Sequence, residues 1–343
     1  MRRLAVAAVL VAATAVTGPA QSASTRTLLD WRDLDGWTDD DHAAALSVFL
    51  ETCDDIEGGD WAAICALAAT GPEPRAFFEL FFRPVLIEDG TPALFTGYYE
   101  PELTGSPVRT DRFRFPIYRR PPEMGSAPWL TRAQIEESGI LQGRGLEIAW
   151  LDDPVDKFFL QVQGSGRIRF PDGRGIRVGF GGKNGHPYRS VGQELVRRGL
   201  FQAHQVSAGV IRRWVRQNPD AGRLLLQANP SYVFFREVSR VPADKGPLGA
   251  MNRSVTAGRT IAVDPDFVPL GAPVWIEKRG AQPIRRLMVA QDTGSAIKGA
   301  QRADIFYGTG DAAGDAAGSI RDPGRMVVLL PIETALAQAG SGD

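Results

Sequence analysis

The sequence predicts a mainly β protein with N-terminal and interspersed helices. Two observations carry this. Thirty-eight glycines and 24 prolines punctuate the 343 residues, and between these breaks the β-branched and aromatic residues fall in short runs. Hydrophobic content of 43% and charged content of 23% are those of a globular protein, and the length suits two domains.

Residues 1–23 read as a secretory leader. Met1-Arg2-Arg3 supplies a positive end, Leu4 to Val16 an apolar run too short to span a bilayer, and Gly18 to Ala23 a small-residue cleavage region. No cysteine stands near the expected cut, so a lipid anchor is not supported. No later apolar stretch reaches membrane-span length. The expectation is an exported, soluble chain.

Cys53 and Cys65 are the two cysteines. In an exported protein that spacing predicts a disulfide, with two buried thiols as the alternative. They fall on or between helices expected over residues 41–81, where AAALSVFL has helical apolar spacing and Pro72 and Pro74 precede AFFELFF. His42, His186 and His204 are scattered without ligand spacing, so neither a metal nor a cofactor is expected. A net charge of −1 with no basic run beyond the N-terminus argues against nucleic acid.

From Val85 the texture changes to sheet. Leu94 to Glu100, LFTGYYE, is a strand whose Gly97 marks a bulge or a close ligand approach. Ser106 to Pro128 reads as a connection, and Thr131 and Gln134 form a capping box opening a short helix. Leu160 to Phe180 predicts a β-meander with turns at Gly164-Ser165-Gly166 and Pro171-Asp172-Gly173. Residues 190–227 return to helix, opened by a Ser190–Gln193 box and broken at Asn218-Pro219 and Asn229-Pro230. The stretch from Tyr232 to Pro331 reads as strand and turn.

Three aspartates stand after or within apolar strand-like runs: Asp264, Asp292 and Asp304. Asp264, before Pro265, is expected to shape a turn. Asp292-Thr293-Gly294 matches an aspartic-protease triplet, yet a single chain needs two such triplets and holds one. Asp304, flanked by Ala303, Ile305, Phe306 and Tyr307, is an acid in apolar surroundings, which favours its neutral form. A neutral carboxyl near pH 7 is what a general acid requires. The segments with Thr96, Tyr98, Tyr99 and Gln163, Gly164, Ser165 combine aromatic faces, hydroxyls, an amide and bare backbone. That set can bind sugar rings, or can equally be core tyrosines and an ordinary turn.

Taken together, FTGYYEP, DKFFLQVQGSGRIRF, RVGFGGKNGHPYRSVG, NPSYVFFRE, GPLGAMNRSVTAGRTIAVDPDFVPLGAPVWI and DTGSAIKGAQRADIFYGTGDAAGDAAG resemble the membrane-bound lytic murein transglycosylase A family, in order over about residues 90–330. The resemblance implies a double-psi β-barrel domain, here 24–103 with 240–343, and a smaller inserted β-barrel domain at 104–239, with a groove between them. It implies non-hydrolytic cleavage of the MurNAc-β-1,4-GlcNAc bond of peptidoglycan glycan strands, leaving 1,6-anhydro-MurNAc ends. Asp304 would be the catalytic acid and Asp292 a supporting acid that polarises the site or raises Asp304 by like charge. Thr96, Tyr98, Tyr99, Gln163, Gly164 and Ser165 would bind substrate, and Lys298 would either hold substrate or oppose that rise. The implied setting is a monomer in the periplasm. A non-catalytic peptidoglycan-binding protein and an aspartic-type protease are the rivals.

Overall fold

The computed structural model describes residues 24–339 except 57, 240 and 243. The expected leader therefore lies outside the described residues. The strands in chain order are β1 (Thr25–Leu28), β2 (Phe82–Glu88) and β3 (Leu94–Glu100). Next come β4 (Glu102–Ser106), β5 (Phe115–Tyr118), β6 (Glu147–Leu151), β7 (Gly166–Arg169), β8 (Gly175–Lys183) and β9 (Val233–Glu237). The last are β10 (Thr260–Val263), β11 (Pro273–Lys278), β12 (Ile284–Thr293), β13 (Arg302–Thr309), β14 (Arg321–Asp322) and β15 (Gly324–Pro331).

Two sheets divide them. A nine-stranded sheet runs β1-β2-β15-β11-β12-β10-β13-β3-β14, drawing on both ends of the chain, while the middle builds a six-stranded sheet, β5-β6-β4-β7-β8-β9. Most pairings are antiparallel, but β10 runs parallel to β12, β3 parallel to β13 and, in the smaller sheet, β4 parallel to β7. The protein is mainly β with ten helices among the described residues.

The first three helices are α1 (His42–Leu50), α2 (Gly59–Ala68) and α3 (Pro74–Phe81). They cover the large sheet through Phe49, Phe77, Phe78 and Phe82, whose rings stack at 5.3–6.4 Å between centroids. Under them the run PVWIEK of β11 is buried on both faces, which is why it reads as continuous rather than alternating. Cys53 and Cys65 are joined as a disulfide between the end of α1 and α2.

Helices α4 (Arg132–Ser138) and α5 (Pro154–Gln163) pack on the smaller sheet, and α6 (Val191–Arg197), α7 (Ala208–Gln217) and α8 (Pro219–Gln227) form an apolar cluster with the outer side of α5. The Thr131–Gln134 capping box forms as read. The meander over Leu160 to Phe180 forms only in its second part, where β7 and β8 pair antiparallel across the Pro171-Asp172-Gly173 turn. Its first part is the end of α5, started by the Asp153 cap and Pro154 and ended by Gly164 in the left-handed region at φ 79°. The alternation of LQVQ is accidental, for Val162 is 41% exposed. The connection from Ser106 to Pro128 likewise contains a strand, β5, which is short and lies at the sheet edge.

Two more helices replace expected turns or follow them: α9 (Asp311–Gly318) and α10 (Ile332–Ala339). DAAGDAAG is poor helix sequence by propensity. Tertiary packing overrides that, because its small residues let α9 lie on β3. A Cβ on Gly97 would stand 2.8 Å from Ala317 Cα, so Gly97 makes room for a helix, neither the bulge nor the ligand approach expected. Among the described residues no helix is long and apolar enough to cross a membrane.

Replacing Cys53 and Cys65 together by alanine reopens a short loop and should cost about 2–3 kcal/mol of stability. Urea unfolding measures that loss, and alkylation of the unreduced native protein should add no mass.

Candidate active site

Strand register, rather than proximity in sequence, assembles the acids. Ala262 of β10 pairs with Asp292 of β12 on one side and with Asp304 of β13 on the other. Asp304 in turn pairs with Thr96 of β3. Asp292, Ala262, Asp304 and Thr96 therefore form one row across four strands, and partners in a row share a face. The two acids are two strand spacings apart, about 10 Å between Cα atoms, with only a methyl group between them.

A bulge puts Asp292 in that row. The register of β10 against β12 slips between Ile261 and Ala262, leaving Gln291 over and bringing Asp292 opposite Ala262. Gln291 turns inward instead. It is buried, takes a hydrogen bond from the Thr260 hydroxyl, and reaches toward Val48 O at 3.4 Å. Without that extra residue the pleat would turn Asp292 to the opposite face. The loop ahead of β10 closes over the bulge at Gly249, where a Cβ would meet Gln291 O at 2.7 Å.

The two carboxylates are held differently. Asp292 Oδ1 accepts the amides of Ala250 at 3.0 Å and Thr293 at 2.9 Å. Asp304 Oδ1 accepts the Thr96 hydroxyl at 2.5 Å, and among the described residues Oδ2 has no hydrogen-bond partner. Arg302 Nη2 donates to Thr96 Oγ1 at 2.8 Å, which leaves the threonine proton only Asp304 to serve. Arg302 stands two residues before Asp304 and thus on the same face of β13. Its other amine bonds Ala303 O at 2.6 Å and Leu94 O at 3.1 Å. Asp304 is in no ion pair within 4.0 Å among the described residues.

Both acids are half-buried at the surface yet surrounded by protein. Burial raises the Asp304 carboxyl above its usual range, against the Thr96 hydrogen bond and the Arg302 charge. Burial pushes Asp292 up to about 6, against the bonds of Thr293, Tyr98 and Ala250, and Asp304 adds to the push. The like-charge effect thus falls on Asp292, and shielding is what raises Asp304.

Other expected residues take different places. Tyr98 is buried with Val255, Ala262, Ile297 and Phe306 and offers no open ring face. Its hydroxyl makes no well-aligned hydrogen bond, yet lies close enough to Asp292 to lower that carboxyl. Tyr99 projects to the opposite face of β3 from Thr96, where its hydroxyl accepts from Arg212 at 3.2 Å. Gln163 accepts the Tyr99 amide at 3.1 Å, Gly164 ends α5, and Ser165 is buried, so all three secure the joint between α5 and β3. Lys298 is paired with Asp264 at 2.8 Å and Asp266 at 3.6 Å, away from the acid row. Asp264 shapes its turn by accepting the Asp266 amide at 3.4 Å, and ties that turn to the Lys298 loop by accepting the Gly299 amide at 2.9 Å. Burial pushes the Asp264 carboxyl up, and Lys298 with the amides of Gly299 and Asp266 more than offsets this. Arg302 is the residue that reading by motif missed, though its alternation with Asp304 was visible.

Cavities of about 570 and 700 Å³ lie elsewhere, neither lined by Asp292 or Asp304.

Residues 94–236 match the MltA specific insert domain, and residues 259–330 match the 3D domain. The membrane-bound lytic murein transglycosylase A of Escherichia coli strain K12 is 38% identical over 245 residues, covering 68% of this chain and 65% of that relative. A crystal structure of a membrane-bound lytic murein transglycosylase from Agrobacterium tumefaciens superposes with a TM-score of 0.82 at 34% identity, covering 92% of this chain and 99% of that one. The chain belongs to the membrane-bound lytic murein transglycosylase A family. The match to the Escherichia coli relative thus stops just short of two thirds of its length. A further crystal structure, Escherichia coli MltA with bound chitohexaose, has a TM-score of 0.70 at 31% identity, covering 87% of this chain and 90% of that one. The acid row of this MltA-family chain spans both matched regions: Thr96 falls in the insert match, while Ala262, Asp292 and Asp304 fall in the 3D match.

A raised carboxyl opposes folding once ionised. Below about pH 4 Asp292 is neutral in both states and its cost is absent; between about 4 and 6 the unfolded chain ionises first and stability falls. Asp292→Asn should remove that loss of roughly 1–3 kcal/mol. Urea unfolding of both proteins at pH 4 and pH 7 checks it: the wild type should lose more stability between the two.

Proposed function

We propose that the protein is a peptidoglycan lytic transglycosylase, cleaving the MurNAc-β-1,4-GlcNAc bond without water and leaving 1,6-anhydro-MurNAc ends. The observation that carries this is the setting of Asp304: shielded, raised and, among the described residues, free of any ion pair and bonded through one oxygen only. Membership of the family and the chitohexaose held by the Escherichia coli relative support a glycan strand as the ligand.

The Thr96 hydroxyl on Oδ1 leaves Oδ2 to carry the proton. That proton passes to the glycosidic oxygen as its bond to C1 of the muramyl sugar breaks. The same sugar's C6 oxygen then attacks C1, and the C6 hydroxyl proton returns to Asp304. The ring closes, the acid is regenerated, and no water enters. Ordinary glycosidases need two carboxyl groups because water or the enzyme must supply the nucleophile. Here the substrate does, with the advantage of an intramolecular reaction. Asp292, held by two amides, is the supporting acid, placed to offset positive charge developing at C1.

In this reading residues 24–103 and 240–343 form the catalytic domain and 104–239 the insert, with substrate in the groove between them. The parallel pairs β10/β12 and β3/β13 support a double-psi barrel for the first. The leader-like residues 1–23 support export to the periplasm.

Digestion of isolated sacculi followed by mass spectrometry tests the reaction. Anhydro-muropeptides, lighter by one water than hydrolytic products, should dominate, whereas reducing ends would make the protein a hydrolase. Asp304→Asn should lower the rate by about a thousandfold or more while glycan still binds. Unchanged lysis by that variant would remove Asp304 from the mechanism, and an inactive wild type that binds sacculi would leave a binding protein.

A further inference from the structure

The inserted region holds a cavity of about 570 Å³ that shares no residue with the acid row. It opens between α4, β5, the start of α5 and the α7–α8 pair. Phe115, Ile135, Leu141 and Leu226 give it apolar walls. Such volume and lining are those of a small-molecule site.

Its polar groups are mostly donors. Lys157, 8% exposed, lines the cavity, and its ammonium has one carboxylate near it, Glu136 at a long 3.8 Å. The Tyr232 ring lies 5.4 Å from that ammonium, and the Tyr232 hydroxyl is buried without a hydrogen-bond partner. Arg132 beside them is engaged by Gln161 at 2.6 Å, Ser231 O at 2.8 Å and Asn229 O at 3.2 Å, and it also draws the Glu136 carboxylate, at 3.4 Å, closer than Lys157 does. The carboxylates of the rim are also engaged, Asp152 by Arg112 at 2.8 Å and Asp153 by Arg216 at 2.5 Å. Two rim cations, Arg114 and Arg223, make no ion pair among the described residues. A shielded ammonium whose one counter-charge is distant and shared with Arg132 is costly unless a further anion meets it.

We propose that this cavity binds a small amphiphilic carboxylate, its head on the Lys157 ammonium and its apolar body among Phe115, Ile135, Leu141 and Leu226. An acyl-chain acid and the C-terminus of a short alanine peptide share this chemistry. The site is independent of the glycan reading, since none of its residues takes part in that mechanism.

Calorimetric titration of the full protein with decanoate, decanol and tri-alanine tests it. Decanoate or tri-alanine should bind saturably, and which of them does so identifies the source. Decanol should bind about tenfold or more weakly than decanoate, having lost the charge-assisted bond. Lys157→Met should erase the preference for decanoate over decanol, with lysis of sacculi unchanged. Glu136→Gln, which removes the competing carboxylate, should tighten carboxylate binding several-fold and guards against a Lys157 variant that fails to fold. Absence of saturable binding by both acids, equal affinity for decanol, or an unmoved affinity in Glu136→Gln would overturn the proposal.

Discussion

The buried carboxylate of Glu100 ties the two sheets together, and the geometry of the acid row depends on it. Glu100 closes β3, fully shielded from solvent, four residues beyond Thr96 on the same face. It takes Arg167 at 2.9 Å and Arg177 at 2.7 and 2.8 Å, two arginines that face each other across β7 and β8. Thr309, at the end of the strand that carries Asp304, adds its hydroxyl at 2.9 Å. The insert is thus pinned to the two strands that hold Thr96 and Asp304. Such a buried ion pair adds little over a well-packed apolar contact, but breaking one side strands the other charges at about 3–5 kcal/mol. Its value lies in fixing one orientation.

The same arginines carry that orientation further. Both donate to the carbonyl of Lys245, Arg177 at 2.6 Å and Arg167 at 3.1 Å. Lys245 begins the loop that turns at Gly249 and delivers the Ala250 amide to Asp292. Each acid is therefore positioned from two directions, by its own strand and by groups anchored at Glu100. Rigidity of this kind lets a site keep shielded carboxyl groups whose ionised forms oppose folding.

Much of this was legible in the sequence, and the misses have physical causes. Strands such as LFTGYYE and RLMVAQD announce themselves by β-branched and aromatic runs between breakers, and the three aspartates stand out because charge is rare in such runs. The row itself was not legible. It depends on register between segments far apart in sequence and on one extra residue in β12, and a single-residue slip is invisible to periodicity. The helix α5 was hidden because LQVQ alternates by chance, and α9 because its alanines and glycines signal loop until Tyr99 and Gly97 are seen beneath them. Tyr98 looked like a sugar platform for the reason that makes it core: an aromatic in a strand interior serves either use. The pairing of Lys298 with Asp264 was not legible because the two lie 34 residues apart.

The difference between the acids then follows from where their hydrogen bonds come. An amide can only donate, so the two amides on Asp292 stabilise a carboxylate and resist the burial that raises it. A hydroxyl both donates and accepts, and Thr96 is fixed as a donor to Asp304 because Arg302 has already filled its acceptor side. That bond steadies Oδ1 through both protonation states while Oδ2 gives up and regains the proton. Moving the guanidinium from Thr96 directly onto Asp304 would form an ion pair, hold the carboxyl ionised and leave nothing to donate. The interposed threonine keeps the positive charge one group away, close enough to orient the acid and too far to discharge it.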